Sequence, residues 1–572
     1  MNTFKSIHHL IQSRKEAIFA YQKKHNQWLP ITYSQFLNSY LKLSAFFRSI
    51  DIDAQSSIAI FSKTRIEWNL VDFAIQANRC ITVGLYSNDS DRNINNCLKL
   101  TNPKLLVLES YEQLAKIQSI DSDWGWSKPV IVMDANHCQA EPVYHLASIL
   151  KKPLCEKKSQ IIENDINNIA SNEIISYIFT SGTSGEQKAV VLTQGNLYHT
   201  AQVYKEHYPI SQEDKTLLFL PMSHIFARVM FYASIHWGQN HYYLESVDEL
   251  VEQLKLVNPT TLLVVPRLLE KVMANIEKNV AEKNLLSRLL YRFSLFSGRL
   301  HNTSPLPKVV TRPLYYIADR LILNSLRKIF GSSLRFVGAG GGHLSPEVCR
   351  YFWSIGIPVY EGYASTESGG LGIFNYPKDS LIGSIGKPIL PVECKTEKDG
   401  ELLMKSPSVA LGYLSKTGLQ RFDEWISTGD IAEVDLSGYY RISDRKKDLI
   451  INAYGKNIAP SWIEDQFLIH ADIENIIVIG HNRPYLTALI VPTENQCSDE
   501  YVYSTIGDIV SHVNQRLSRH EQIKQFALIP PFEIENQQLT STMKKRRFAI
   551  ENSHRDIIER LYATKSNRLV TQ

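Results

Sequence analysis

The stretch YIFTSGTSGEQKAVVLTQGN, residues 177–196, decides how this chain reads. An apolar run, Tyr177-Ile178-Phe179, leads into a turn dense in glycines and hydroxyls, with Lys188 just beyond it. A strand that ends in such a turn points backbone N–H groups into a concave nest suited to an anion. Thr180, Ser181, Thr183 and Ser184 add hydroxyl donors, Gly182 and Gly185 punctuate the turn, and Lys188 adds a point charge. The helix-start pattern Thr193-Gln194-Gly195-Asn196 follows. The common phosphate loop has the form GxxxxGKS or GxxxxGKT. Here the glycine spacing differs, and Ala189 follows the lysine. Two readings stand: a loop that holds phosphate, or a surface loop whose hydroxyls face water.

The surrounding chain has 572 residues, 44% apolar and 21% charged, the profile of an ordinary soluble globular protein. A core of that size needs no disulfide staples. The seven cysteines are scattered without a CxxC pair. That argues against a disulfide framework or a zinc site and fits a reducing, cytoplasmic setting. The N-terminal MNTFKSIHHLIQSRKEAIFA lacks the apolar core of a secretory signal. No uninterrupted apolar run reaches about 18 residues, so no transmembrane helix is expected.

The net charge of +4 is nearly balanced and gives no sign of a nucleic-acid partner. Its distribution is uneven. From Lys283 to Lys328, nine basic residues face one acid, Asp319, with Leu289, Leu290, Phe293, Leu295, Phe296 and Leu300 interleaved. A basic amphipathic segment can rest on an anionic membrane, here the inner membrane face. The sequence favours the plainer reading, a packed helix pair with a solvated basic face.

Short β-rich runs alternate with helical patterns. Ser57–Phe61, Thr261–Val265 and Leu334–Val337 read as buried strands followed by helical sequence, which predicts βα units and mostly parallel sheets. After about residue 380, glycines punctuate shorter strands in GSIGKPI, GELLMKS and GYYRIS, predicting an antiparallel, barrel-like section. A charge cluster, Asp444-Arg445-Lys446-Lys447-Asp448, then precedes a fresh α+β pattern with strands at 474–479 and 486–491. The expected division is 1–443 and 444–572, in an α/β protein of two unequal domains.

Four more segments carry chemistry. In Val359-Tyr360-Glu361-Gly362-Tyr363-Ala364-Ser365-Thr366-Glu367, an apolar strand expected at Ile357–Tyr360 runs into a small-residue turn ending in a carboxylate. Glu367 could hold Mg²⁺ beside substrate phosphates, or simply cap a helix. Gly338-Ala339-Gly340-Gly341-Gly342 permits close backbone approach to a ligand, or is a flexible turn. In Trp425-Ile426-Ser427-Thr428-Gly429-Asp430, the carboxylate could hold a ribose diol, though Thr-Gly-Asp is also an ordinary turn. Leu539-Thr540-Ser541-Thr542-Met543-Lys544-Lys545-Arg546-Arg547 is a basic cluster that alone reads as surface charge.

In this order the segments resemble the adenylate-forming superfamily, and within it the long-chain fatty acyl-CoA synthetases. The opening stretch is similar to the family's TSGTTGxPKG loop, and EGYASTE to its YGxTE segment. VALGYLSK, WISTGD, SDRKKDLIINAYGKNIAP and LTSTMKKRR follow in family order, and LPMSHIF and VPRLLEK point to the long-chain branch. The resemblance spans about residues 30 to 550.

The resemblance implies a large N-terminal domain of two α/β subdomains plus a barrel, and a small mobile C-terminal lid. It implies that a fatty carboxylate attacks ATP to give acyl-AMP and pyrophosphate, and that coenzyme A then takes the acyl group. Thr180, Ser181, Gly182, Thr183, Ser184, Gly185 and Lys188 would wrap the β- and γ-phosphates. Glu367, with Thr366 beside it, would hold Mg²⁺. Gly340, Gly341, Gly342 and Tyr363 would line the adenine pocket, and Asp430 and Arg445 would hold the ribose. Lys544 would bridge carboxylate and α-phosphate, with Lys545 beside it leaving a one-residue ambiguity. Lys447 matches the hinge, Gly455 the segment swung towards coenzyme A, and His224 a residue contacting the substrate.

The chain also departs from the family pattern. Gln187 and Ser541 stand where the family has proline, and Ala189 and Ala364 where it has glycine. None of these removes a charged group. Two competing readings are an acyl-AMP ligase that serves a carrier-protein thiol, and a non-catalytic acyl- or nucleotide-binding homologue. The wall of the acyl site is expected along Val229–Trp237.

Overall fold

The computed structural model describes residues 2–24, 27–120, 128–134, 143–181, 187–493 and 500–563. The largest sheet has nine strands, in the spatial order Gly418–Arg421, Gly412–Ser415, Gln187–Thr193, Ile174–Ser181, Ile81–Leu85, Ser57–Phe61, Leu105–Leu108, Val130–Val132 and Val143–His145. From Ile174–Ser181 to Val143–His145 every neighbouring pair is parallel. The three central strands, Ser57–Phe61, Ile81–Leu85 and Leu105–Leu108, are buried at every position. Parallel strands covered by helices on both faces require that, and their Val/Ile/Leu content supplies it.

A second sheet pairs Thr261–Val264, Phe336–Ala339 and Val359–Tyr363 in parallel, then adds Ile373–Phe374 and Lys387–Pro388 antiparallel. Two of its strands differ from the sequence reading. The strand expected at Leu334–Val337 begins two residues later and runs on through Gly338 and Ala339, because Thr261–Val264 pairs with Phe336–Ala339. Arg335 is held instead by Asp214, with Nη2 2.8 Å from Oδ2. The strand expected at Ile357–Tyr360 is Val359–Tyr363. Cross-strand partners set these limits more than apolar content does.

Lys215–Leu218, Asn240–Tyr243, Ile18–Lys24 and Gln27–Thr32 form a four-stranded sheet. The antiparallel section after residue 380 is a sheet of Glu393–Thr396, Glu401–Lys405, Ile426–Val434 and Tyr440–Arg445.

Beyond it, Ile473–Ile479, Leu486–Pro492 and Ile523–Leu528 form a small mixed sheet. Period-2 alternation splits its apolar residues between two faces. Ile476, Val478, Ala488 and Ile490 pack with residues of the helices Pro460–Leu468 and Glu500–Asn514. Ile477, Ile479, Leu489 and Val491 pack with those of Arg547–Ser553 and Arg555–Ala563. Both clusters draw only on residues from Ile450 onward.

The basic segment folds as the helices Leu285–Asn302 and Lys308–Ala318, which pack on each other. Leu285, Leu286, Leu289, Phe296, Val309 and Val310 nevertheless stay exposed, Val309 by 84%. Lys283, Arg288, Arg292, Arg299, Lys308 and Arg312 are exposed among them. Among the described residues, no helix is long and apolar enough to cross a membrane.

Candidate functional site

Ligands of open parallel sheets bind outside the carboxyl ends of the strands. In the second sheet those ends carry Gly340–Gly342, after Phe336–Ala339, and Ala364–Glu367, after Val359–Tyr363. A Cβ on Gly340 would lie 3.0 Å from Phe226 Cζ and 3.4 Å from Gly362 O, so a side chain there would have to push the Phe226 ring aside by a few tenths of an ångström. Gly341 has φ +81°, the left-handed region where glycine costs least.

Asp430 and Arg445 face each other as cross-strand partners in the antiparallel sheet. Arg445 Nε lies 3.4 Å from Asp430 Oδ1, and the Tyr363 hydroxyl donates to Oδ2 at 2.5 Å. Asp430 is buried, and that burial raises its carboxyl above the usual range despite Arg445, Tyr363 and Lys544. Tyr363, Asp430 and Arg445 thus form one edge of the cleft.

The opening stretch forms the strands Ile174–Ser181 and Gln187–Thr193, antiparallel, with Thr180 opposite Lys188 and Ser181 opposite Gln187. The helix Gln194–His207 begins at the Thr193 cap. Gly182, Thr183, Ser184 and Gly185 lie outside the described residues, as does the side chain of Ser181. Lys188 Nζ sits 4.7 Å from the centre of the Tyr413 ring, and the Tyr413 hydroxyl donates to Glu367 Oε1 at 2.8 Å. One tyrosine therefore links the lysine of the loop to the proposed metal ligand, through a cation–π contact and a hydrogen bond. Tyr413 lies within VALGYLSK, and nothing in its sequence surroundings distinguishes it.

Lys544 ends a tight turn. Thr540 N donates to Lys544 O at 2.8 Å, and Lys544 N donates to Thr540 Oγ1 at 3.0 Å. Met543 takes φ +62° there, a left-handed conformation strained for a long side chain. Lys544 keeps solvent access but is ringed by protein. That crowding, then Arg445, lowers its ammonium to about 8 against the pull of Asp430 and Glu367. Lys545 points elsewhere: its ammonium bonds Glu464 Oε2 and donates to Ile476 O at 2.8 Å, inside the small C-terminal unit. Of the two adjacent lysines, the cleft receives Lys544.

His224 caps the helix Ile225–Trp237, its Nδ1 accepting from Phe226 N at 3.2 Å. Burial, then Lys544, lowers its imidazole to about 3. It is therefore neutral with its proton on Nε2, a donor rather than a base near neutral pH. Thr366 is buried beside Glu367. Lys447 lies in the turn just after the strand Tyr440–Arg445. Its neighbour Lys446 is fixed by Asp399 and Glu401 at 2.6 and 2.7 Å. Gly455 lies on an exposed turn with φ +73°.

Two cross-unit contacts lay beyond sequence reasoning. His343 Nε2 lies 3.1 Å from Asp465 Oδ2, and Asp465, with Glu361 and Glu270, raises this imidazole to about 9 against its burial. Asn88 Nδ2 donates to Ser541 O at 2.9 Å. In each pair the two partners lie far apart in the chain.

Below the cleft lies a narrow apolar cavity of about 60 Å³. Phe226, Ala339 and Gly362 line its upper part, next to His224, Gly340 and Tyr363. Met230, Ser234 and Trp237 line it along one face of the helix, as the Val229–Trp237 reading expects of a wall. Val229 itself packs towards Gly370 instead.

Among the described residues no group of three or more His, Cys, Asp or Glu side chains could cage a metal. A single carboxylate fits Mg²⁺, which takes one or two carboxylates and otherwise substrate phosphates and water. Glu367 can supply it.

Residues 11–414 match the family model described as AMP-binding enzyme, and residues 447–566 match the one described as AMP-binding enzyme C-terminal domain. A long-chain-fatty-acid–CoA ligase of Mycobacterium bovis is 27% identical over 94% of this chain and 92% of its own length. A long-chain-fatty-acid–[acyl-carrier-protein] ligase of Arabidopsis thaliana is 25% identical over 94% of this chain and 84% of its own. Among solved structures, the adenylation domain of a carboxylate reductase from Mycobacterium chelonae superposes with a TM-score of 0.75. It is 19% identical, over 99% of this chain and 91% of that one.

Proposed function

We propose that this chain, which belongs to the AMP-binding enzyme family, is a long-chain fatty acid–CoA ligase acting through an acyl-adenylate. The observation that carries the reading is the position of Lys544. It reaches across from the C-terminal unit to the groups formed by Glu367, Asp430 and Arg445, above an apolar cavity. The fatty acid relatives support the substrate class.

A carboxylate approaching a polyphosphate meets strong repulsion. Catalysis then rests on positioning and on preorganised positive charge. The acyl chain enters the cavity beside Phe226 and Met230, leaving its carboxylate at the mouth near His224 and Gly340. Asp430 accepts hydrogen bonds from the ribose, with Arg445 beside it. Gly340–Gly342 and Tyr363 bound the adenine, and Thr180 to Gly185 with Lys188 hold the β- and γ-phosphates. Glu367 would hold Mg²⁺, which neutralises phosphate charge when bound, and Tyr413 orients that carboxylate. A carboxylate oxygen attacks the α-phosphorus, the bond to the β-phosphate oxygen breaks, and pyrophosphate leaves. Lys544 stands between the two anions and His224 donates from Nε2.

For the second step we place the domain cut at 444 and the pivot at Lys447. Rotation there withdraws Lys544 and brings the Gly455 segment to the cleft. The thiolate of coenzyme A attacks the acyl carbon, the bond to the AMP oxygen breaks, and the thioester forms. Incubation with ATP, Mg²⁺, palmitate and coenzyme A should give palmitoyl-CoA, AMP and pyrophosphate. The absence of both AMP and acyl-CoA would reject the reading. The Arabidopsis relative motivates a second acceptor. Acyl-AMP that accumulates with coenzyme A but clears with a carrier-protein thiol would select it.

The exposed apolar residues of the two basic helices, set among lysines and arginines, support peripheral docking on an anionic membrane.

A further inference from the structure

We propose that the turn Asn88-Asp89 is a positioning device for adenylation, holding the loop that carries Lys544 against the strand that carries Lys188. The proposal rests on the acyl-adenylate reading above. The turn follows the strand Ile81–Leu85 and is closed by Asp89 N donating to Tyr86 O at 3.1 Å. It has contacts on both sides of the cleft. Towards the C-terminal unit, Asn88 Nδ2 donates to Ser541 O at 2.9 Å, three residues before Lys544. Towards the loop, Gln187 Nε2 lies 3.5 Å from Asp89 Oδ1, and Gln187 Oε1 accepts from Cys97 Sγ at 2.9 Å. Gln187 is the residue before Lys188.

Asp89 is only 2% exposed. Asn93 Nδ2 donates to its Oδ1 at 3.0 Å, while its Oδ2, also buried, has no hydrogen-bond partner among the described residues. The Ser541 hydroxyl and the Arg546 guanidinium face this carboxylate, and the buried Arg546 Nε is likewise unpaired. Arg92 stands close enough to Arg546 to oppose its charge, and Lys116 bonds the Asp89 carbonyl at 3.1 Å. A buried carboxylate with an oxygen unpaired among the described residues costs stability unless something is gained. Here it faces the one segment that must leave between the two half-reactions.

Gln187 and Ser541 are the two positions where this chain replaces a family proline. Proline has no side-chain donor, so it would offer Asp89 neither the Gln187 amide at 3.5 Å nor the hydroxyl that Ser541 turns towards it. Both replacements meet at one carboxylate. The turn therefore holds the adenylating arrangement together and has no part in thioester formation, when the Lys544 loop has swung away.

The test uses Asn88→Ala, whose side chain is exposed and leaves the fold intact, and Asp89→Asn, which keeps an acceptor for Asn93 and Gln187 but removes the charge. Palmitoyl-AMP formation should fall about 3- to 10-fold in each, as loss of a single hydrogen bond or charge contact implies. Conversion of supplied palmitoyl-AMP and coenzyme A to thioester should be unchanged or faster. A second readout needs no turnover: amide hydrogen exchange of residues 539–547 should speed up in both variants, while the strand Ile473–Ile479 stays as in the parent. Equal loss in both half-reactions, or unchanged exchange at 539–547, overturns the proposal. If the parent makes no acyl-AMP, the enzymatic reading fails separately, and the exchange result still decides the contact.

Discussion

Lys545 is bound to Glu464 within the C-terminal unit, and this pairing frees Lys544 for the cleft. Glu464 is nearly buried and also takes Arg547. Lys545→Ala should therefore destabilise the C-terminal unit by about 1–3 kcal/mol, read as a lower denaturant midpoint. Lys544→Ala should leave that midpoint within about 0.5 kcal/mol and lower acyl-AMP formation by about 100-fold or more. The reverse pattern would exchange the roles of the two lysines.

The Lys544 ammonium is lowered to about 8. If it acts in the protonated form, acyl-AMP formation is sustained below that pH and declines as pH rises through it. Lys544→Arg keeps the charge far above pH 8. Its residual activity should show no such decline, and a pH profile of the half-reaction in both proteins checks this.

Tyr413→Phe keeps the ring beside Lys188 and loses the hydrogen bond to Glu367. Acyl-AMP formation should fall about 5- to 10-fold at limiting Mg²⁺ and recover partly at saturation. Tyr413→Ala removes both contacts and should not be rescued. Titration of the half-reaction with Mg²⁺ separates the two.

Met230 lines the apolar cavity. Met230→Trp adds volume there, so the profile of kcat/KM against chain length should move to shorter acids. The loss for palmitate should be about tenfold or more. An unchanged profile in a panel scored by AMP release would place the acyl chain elsewhere.

Docking through the basic helices requires the exposed Leu285, Leu286 and Phe296. Replacing all three with serine should abolish co-sedimentation with vesicles rich in anionic lipid and leave soluble activity unchanged. Raising the salt should weaken binding of the parent by screening its basic residues.

The parts of this protein legible in its sequence are those fixed by local patterns. Five consecutive apolar-rich residues in Ser57–Phe61 and the glycines at 340–342 sit in short motifs, whereas Asp430 and Arg445 lie in two separate segments that only the family resemblance joins. The strand at Phe336 was misplaced because its ends depend on the neighbouring ladder, not on its own apolar residues. Tyr413, Asp89 and the His343–Asp465 pair were not assigned roles. Each acts through a partner far away in the chain, and a tyrosine or aspartate in isolation has no distinguishing pattern. The choice between Lys544 and Lys545 was likewise closed to sequence, because it depends on where Glu464 lies.

The central claim is that the fatty carboxylate attacks the α-phosphorus and later leaves its oxygen on AMP. The most direct measurement supplies palmitate whose carboxylate carries heavy oxygen, with ATP, Mg²⁺ and coenzyme A, and weighs the products by mass spectrometry. The account expects one labelled oxygen in the AMP phosphate for each palmitoyl-CoA formed. Unlabelled AMP, or ADP with labelled inorganic phosphate, would contradict it.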